Sequence, residues 1–333
     1  MRLYIGFITY GKSTAKYLPY FLPSLKAQTY KDFKVLALDN SKELENENAQ
    51  YIKKNYPEIS LKRPGGNIGF AKAFNLMISG AIYDGADYFL ALNPDMILEP
   101  CLIEELIKTI ESDETIAAVQ PKILKWDFDK KEKTNIIDSY GLTMTKELNF
   151  FDKKQGETDD LSLNKTKEIF GFTGAAVLLK LKALEDVVYI ENELVEYFDE
   201  LMFMYKEDCD LSLRLKLAGW RVILAPKAVI FHDRTASSKG ATIWQIIKNR
   251  LGKSRQIKIW SYFNQWVIVI KYWRLLPLKI KIHTAWFQFK GLFFIILFEQ
   301  YLILEIRKLF KAKKEIKLKS GSLKTRIKFN DLI

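Results

Sequence analysis

Cysteine is nearly absent: Cys101 and Cys209 are the two in 333 residues. Two thiols so far apart build neither a disulfide framework nor a cysteine-based zinc site. They point to a reducing compartment, with any metal held by oxygen and histidine. Proline (9) and glycine (16) are scarce and 48% of the residues are hydrophobic, which excludes collagenous and disordered chains. No apolar run reaches the roughly 20 residues of a membrane span. The most apolar stretch, Leu292–Phe298, is bounded by Lys290 and Glu299. The N-terminal apolar stretch is too short for a signal peptide and lacks a small-residue cleavage site. It reads as a buried strand, and the protein as cytoplasmic.

What is present is charge, unevenly placed. Of 52 Lys and Arg against 40 Asp and Glu, residues 244–333 hold 20 and 4, a net charge of +16. Residues 1–243 are therefore left at −4. A basicity confined to the tail argues against a whole-surface nucleic-acid binder and for a folded body fixed to an anionic surface. The length allows one large domain or two at about 150 residues each.

The first 125 residues alternate short apolar runs with amphipathic stretches. Leu3–Thr9, Phe33–Leu38, Tyr88–Leu92 and Ile116–Val119 read as strands buried on both faces. Helices are expected at Ala15–Gln28, Ala71–Ala81 and Leu102–Ser112. This order implies an α/β fold with a mostly parallel sheet flanked by helices, in which ligands sit at the carboxyl ends of the strands. Residues 126–168 are polar and without period, and read as a mobile excursion with one hairpin. Beyond them, Ile169–Lys180 is a glycine-flanked turn into a strand, and Asp208–Ala218 a helix stopped by Gly219. Trp220–Ala225 and Ala228–Phe231 read as two short strands broken by Pro226. From Trp244 onward, aromatic stretches spaced by Lys and Arg favour interfacial helices.

Several strand ends carry chemistry. Asp39-Asn40-Ser41 follows the second strand, where it reads as a turn or as one wall of a nucleotide pocket. Asn93 and Asp95 stand two apart at a strand end and so share a side. Asp95 can hold a divalent cation there, with Asn93 as a neutral oxygen donor; the bland reading is an Asn-Pro-Asp turn. Gly65-Gly66 ahead of Asn67 and Gly69 lets a ligand approach a helix N-terminus. Glu207, Asp208 and Asp210 cluster at a helix start, where they cap it or supply a general base. A dipole-lowered carboxylate is a weak base, so a working Asp208 must be partly desolvated. His232, one of two histidines, follows a strand and is a structural residue or a metal ligand.

Taken in order, Phe7–Tyr10, Asp39–Ser41, Gly66–Phe70 with Asn75, Leu92–Asp95, Gly171–Ala175 and Tyr205–Leu211 through Trp220 resemble a family 2 glycosyltransferase of the GT-A fold. The likeness covers about residues 1–235 and is nearest to bacterial rhamnosyltransferase-type members. It implies inverting transfer from a dTDP- or UDP-linked sugar to an acceptor hydroxyl, with Mg²⁺ or Mn²⁺ as cofactor. By resemblance, Thr9, Tyr10 and Asp39 line the base and ribose pocket, and Asn67 and Gly69 border the diphosphate. Asn93 and Asp95 occupy the metal motif, departing from it by Asn at the first position, and His232 completes the metal shell. Asp208 is then the catalytic base with Glu207 and Asp210 beside it, and Phe172, Thr173, Gly174 and Ala175 form the acceptor-side loop.

The domains expected are a transferase domain over 1–243, with nucleotide-sugar (1–125) and acceptor (126–243) halves, and a basic helical extension over 244–333. Trp260, Phe263, Trp266, Trp273, Trp286, Phe287 and Phe289 suit headgroup depth on the anionic inner face of a cell membrane, near a lipid-linked acceptor. Alternatively they pack on the body or a second subunit. The rival functions are a membrane-associated adaptor on a transferase fold, and a nucleotidyltransferase, which lacks its glycine- and lysine-rich loop here. Neither the oligomeric state nor the transferred sugar is legible.

Overall fold

A computed structural model describes residues 2–191, 194–234, 250 and 252–332. The first half contains β1 (Leu3–Thr9), α1 (Gly11–Ala15), α2 (Leu18–Lys26), β2 (Phe33–Asp39), α3 (Glu47–Asn55), β3 (Ser60–Lys62), α4 (Phe70–Tyr83), β4 (Tyr88–Leu92), β5 (Met96–Leu98), α5 (Leu102–Ile110) and β6 (Ile116–Asp127). There follow β7 (Glu132–Ser139), β8 (Leu142–Met144), β9 (Phe150–Asp152), β10 (Lys167–Ile169), β11 (Ala176–Lys180), α6 (Leu181–Asp186), β12 (Tyr189–Glu191), β13 (Leu194–Glu196), α7 (Glu207–Leu217) and β14 (Arg221–His232). The C-terminal helices are α8 (Arg255–Tyr272), α9 (Leu278–Phe298) and α10 (Ile303–Gly321).

The central sheet runs β10-β14-β6-β11-β4-β1-β2-β3, with β5 on β14 and β7 on β6. It is parallel from β3 through β2 and β1 to β4, as the alternating order implies. At β11 it turns antiparallel to both neighbours, and β6 and β14 then pair parallel again. The sheet is thus mixed, and β11 joins the two halves.

Period-two alternation explains the apolar runs. In β4, Phe89 and Ala91 enter one core with α4, α6 and α7, while Leu90 and Leu92 enter the other with α2, α3 and α5. Both faces are covered, so both sets of residues are apolar.

Four sequence expectations need correction. The helix expected over Ala15–Gln28 is shorter, α2 alone, because Pro19 places the first turn at Leu18, and α1 ends at Ala15. Residues 126–168 are ordered: β7 forms a hairpin with β6, β8 pairs with β9, and β10 adds to β14. Their polar residues include partners for buried groups: Asp159 and Asn164 accept from the buried Lys122 of β6 at 2.7 and 2.8 Å. The two strands around Pro226 are one, β14, with a register shift between Ala225 and Val229 that absorbs the proline. Finally, Leu292–Phe298 is the end of a continuous helix, α9, long and apolar enough to cross a membrane by length and composition. The 243/244 boundary lies outside the described residues.

The C-terminal helices are built into the body. Cys209, Leu213 and Leu217 on the outer side of α7 pack with Val267, Ile268 and Tyr272 of α8 and with Leu309 and Ile316 of α10. Helix α7 therefore lies between the sheet and α8, covered on all sides. A buried ion cluster fastens this layer. Lys271 of α8 bonds to Asp199 and, at 2.7 Å, to Asp210, while Lys319 of α10 reaches Asp199 and Glu196, both at 2.7 Å. Arg214 and the Tyr272 hydroxyl complete Asp210 at 3.0 and 2.9 Å. The paired ammonium groups outweigh burial and hold the Asp199 carboxyl well below the usual range, and the carboxylates likewise hold Lys271 above its own.

Removing one member strands a buried charge. Lys271→Met should therefore destabilise the fold by about 3–5 kcal/mol, read as a lower urea midpoint with an unchanged denaturant slope.

Candidate active site

The carboxyl ends of β1 and β2 bring Thr9, Tyr10 and Asp39 together. Asp39 is buried, and its carboxylate accepts from Thr9 Oγ1 (2.9 Å), Ser41 Oγ (2.7 Å) and Asn46 Nδ2 (2.5 Å). These bonds fix the shape of the pocket wall, and Tyr10 alone of the three is exposed. Asn40 ties this edge to the next loop: its Nδ2 donates to the Gly69 carbonyl (3.2 Å) and its Oδ1 accepts from Ile68 N–H (3.3 Å). Asn67 accepts from Gly69 N–H at 2.9 Å. Gly69 has φ +86°, and a Cβ there would lie 2.5 Å from the Phe203 carbonyl, so only glycine fits.

The end of β4 and the end of β14 meet across the site. Asn93 N–H donates to the Ala175 carbonyl at 2.9 Å, placing it beside the start of β11. Asp95 Oδ1 lies 3.3 Å from His232 Nε2, yet it is buried and, among the described residues, has no hydrogen-bond partner. The other ring nitrogen of His232 lies 2.8 Å from Asp138 Oδ2. An imidazole nitrogen pinned by a carboxylate, with its second nitrogen facing an unsatisfied carboxylate oxygen, is the donor arrangement of a metal-binding histidine. Ligand atoms about 2.1 Å from one ion stand roughly 3 Å apart in octahedral geometry, so Asp95 and His232 fit a divalent cation. A second acidic group, Glu196, Asp199 and Glu315, lies elsewhere and is already occupied by the Lys319 ammonium.

Arg234, two residues beyond His232, joins this pair to the acceptor-side loop. It contacts Asp138 (3.3 Å) and Asp152 (2.5 Å), and its Nη2 donates to Thr173 Oγ1 at 3.4 Å. Phe172 and Ala175 are buried, Thr173 N–H donates to Gln120 (2.8 Å), and Gly174 N–H donates to Asp208 Oδ2 (2.7 Å). A side chain at Gly174 would crowd Phe70 at 3.2 Å and Asp208 at 3.4 Å.

Asp208 stands at the first turn of α7, partly exposed, with its Oδ1 accepting from Cys209 N–H at 2.7 Å. Burial nevertheless raises its pKa, overcoming the two backbone donors that lower it. This is the partial desolvation a general base requires. Glu207 beside it is buried, with one unsatisfied oxygen, and burial and the Asp208 charge push its pKa well up. Asp210, grouped with these two in the sequence, goes elsewhere. Its carboxylate is consumed by Lys271, Arg214 and Tyr272 in the ion cluster, because two residues, about 200° around the helix, turn it toward α8.

The turn preceding α7 is strained. Tyr205 and Lys206 both have left-handed backbones, at φ 72° and 70°. Asn264 of α8 holds them, donating to the Met204 (2.8 Å) and Tyr205 (2.6 Å) carbonyls, while Gln265 accepts from Lys206 Nζ at 2.7 Å. Asn264, Asp138, Asp152 and Arg234 have no signature in the sequence. Of these, Arg234 alone had a cue, its spacing of two from His232 at a strand end.

The mixed sheet, its switch point and the residues gathered on its carboxyl edge define a glycosyltransferase of the GT-A fold. The glycosyl transferase family 2 model matches residues 4–187, and the chain belongs to that family. Among its relatives is an N-acetylglucosaminyl-diphospho-decaprenol L-rhamnosyltransferase of Mycobacterium tuberculosis, from strains CDC 1551 and H37Rv. It is 27% identical over 244 residues, covering 69% of this chain and 76% of that protein. The fold is also similar to a crystal structure of GalNAc-T7 with UDP, GalNAc and Mn2+, at a TM-score of 0.54 and 13% identity. That match spans 90% of this chain and 58% of that one.

Burial alone would lower the His232 pKa; the Asp95 charge, the hydrogen bond to Asp138 and the Asp138 charge outweigh it and raise it from 6.5 to about 9. The proton's contribution to stability is thus complete below pH 6.5 and is lost as the pH rises through about 9. A cation on the same nitrogen must displace that proton. Mn²⁺ affinity by calorimetry should therefore rise about tenfold per pH unit between 6.5 and 8.5, and His232→Asn should flatten the dependence.

Proposed function

We propose that the protein is an inverting glycosyltransferase that moves a sugar from a dTDP- or UDP-linked donor to a hydroxyl of a lipid-linked glycan precursor. One observation carries this reading: a single path of ion pairs and hydrogen bonds runs from Asp95 and His232 through Asp138, Arg234 and Thr173 to the loop whose Gly174 N–H holds Asp208. A donor-side cation pair and a desolvated carboxylate are thereby set on opposite ends of one rigid strip. The mycobacterial relative supports rhamnose as the sugar and a diphosphate-linked lipid as the acceptor class.

Asp208 accepts the acceptor's proton as that oxygen attacks the anomeric carbon, and a single displacement inverts the configuration. Gly174 N–H and Cys209 N–H hold the carboxylate still, and Asn264 fixes the turn that aims it. Arg234 holds the acceptor-side loop against Asp152 and Asp138. Thr9, Tyr10 and Asp39 form the wall against which base and ribose lie, with Asn67 and Gly69 at the diphosphate and Asn93 beside the cation pair. Asp95 and His232 would hold a divalent cation, which would supply Lewis-acid stabilisation of the departing diphosphate.

The tail supports attachment to an anionic membrane. Trp286, Phe287, Phe289, Phe293 and Phe298 of α9 are exposed, and the region carries the excess of Lys and Arg. An exposed aromatic face of this kind, beside basic residues, suits the cytoplasmic headgroup layer.

Thermal stabilisation by UDP or dTDP should require Mn²⁺ and be lost in Asp95→Ala, because ligand binding to the folded state stabilises it. A shift with neither nucleotide would favour the adaptor. With donor and acceptor in hand, Asp208→Asn should slow transfer by roughly 10²–10⁴-fold while leaving that nucleotide shift intact. The wild-type rate should also lose its acid limb above the ordinary carboxylate range, since burial raises the Asp208 pKa, and NMR should find the product anomer inverted relative to the donor.

A further inference from the structure

Trp260 does not join the exposed aromatic face of the tail. It lies on α8 one turn before Asn264, and its ring stacks on Phe203 with centroids 5.1 Å apart and 28° between the planes. Tyr205 approaches the same ring at 6.4 Å. Phe203 and Tyr205 stand five and three residues before Asp208, so a tail tryptophan is brought to the turn that aims the base.

The pair also borders the donor side. A Cβ at Gly69 would lie 2.8 and 3.0 Å from Cδ2 and Cε2 of Phe203, so the Phe203 ring rests on the Gly69 backbone. The Phe203 carbonyl accepts from Phe70 N–H at 2.8 Å. The segment from Phe203 to Asp208 thus runs from the Gly69 loop to the base, with Trp260 laid over its start.

The inner face of α8 is open only at this end. Asn264, Val267, Ile268 and Lys271 share that face with Trp260 by helical spacing and are buried. Trp260, Phe203 and Tyr205 are each partly exposed. Rings that only seated α8 on the body would be sealed as the residues further along are.

A pyranose ring carries hydroxyls at its rim and C–H groups on its faces, and the electron-rich face of an aromatic ring attracts such C–H groups. The rim meets polar groups here: the partly exposed Asp208 carboxylate, and the Lys206 ammonium, which donates to Gln265 at 2.7 Å. An acceptor hydroxyl must come within hydrogen-bond reach of Asp208 to give up its proton. The rest of the acceptor is then left against the residues that flank Asp208.

We infer that Phe203 and Trp260 form a stacking platform for a pyranose ring of the acceptor, holding it while Asp208 takes the proton of one of its hydroxyls. This rests on the transfer reading above for the role of Asp208, and it makes a sugar ring the carrier of the attacking hydroxyl.

The test is NMR saturation transfer from the full chain to the methyl glycosides of glucose, galactose and N-acetylglucosamine, with and without UDP and Mn²⁺. Irradiating the aromatic protons should reach the C–H protons on one face of a pyranose ring more strongly than irradiating the methyl protons does. Trp260→Leu keeps apolar bulk on α8 without a π face, and should weaken glycoside binding about tenfold, the loss of one aromatic stacking contact. Trp260→Phe should stay within about threefold of wild type. Should Trp260→Leu fold poorly, Phe203→Leu and the aromatic selectivity in wild type decide. No transfer to any glycoside, or equal binding by wild type and Trp260→Leu, would overturn the platform and leave the rings as packing for α8. An effect of Trp260→Leu confined to the sugar protons of UDP-glucose would overturn the acceptor assignment. Nucleotide-induced stabilisation of the same samples tests the transferase reading separately. Glycoside binding that is lost in Trp260→Leu, without any nucleotide shift, upholds the platform and rejects the transferase.

Discussion

Burying Asp199 and Asp210 without solvent obliges the chain to bring cations to them, and the cations come from its C-terminal end. Lys271 arrives on α8 and Lys319 on α10, so the aromatic, basic tail is pinned across the back of α7. An uncompensated charge in this interior would cost several kcal/mol. The cluster therefore fixes which way α8 runs. With α8 in place, Asn264 reaches the carbonyls of the strained turn, and that turn sets the position of Asp208.

Two aspartates two residues apart thereby acquire opposite characters. Asp210 is matched by Lys271 and Arg214 and serves as an anchor. Asp208 receives two backbone donors and, among the described residues, no cation, and burial raises its affinity for a proton. The same contrast holds at the other end of the site. Asp138 is spent on orienting His232 and Arg234, whereas Asp95 keeps an oxygen free. In each pair one carboxylate holds the frame so that the other remains available for chemistry.

Much of the fold was legible because both faces of the sheet are covered. Leu3–Thr9 and Tyr88–Leu92 read as strands to the residue, since an unbroken apolar run fills them up to Thr9 and Leu92. The region 126–168 did not, because the first half of β7 is polar and mostly exposed, and its buried Asp138 is satisfied by His232, 94 residues away. Of the candidate site, Asp95, His232, Asp208 and Gly174 are brought onto one strip. Asp210 is not, because helical geometry turns it toward α8, and cap chemistry in the sequence gives no sign of that. Nor is Arg234 or Asn264 recognisable without the neighbours that give them work.

Composition, period and the order of the strand-end motifs determined the class of fold, the family and the uneven charge, since each depends on residues close along the chain. Tertiary structure alone decided which carboxylates are neutralised and which are free, that the tail is part of the body, and that Trp260 is laid on Phe203. Those outcomes depend on pairs such as Asp210 with Lys271 and Asp138 with His232, whose members meet only after the chain has folded.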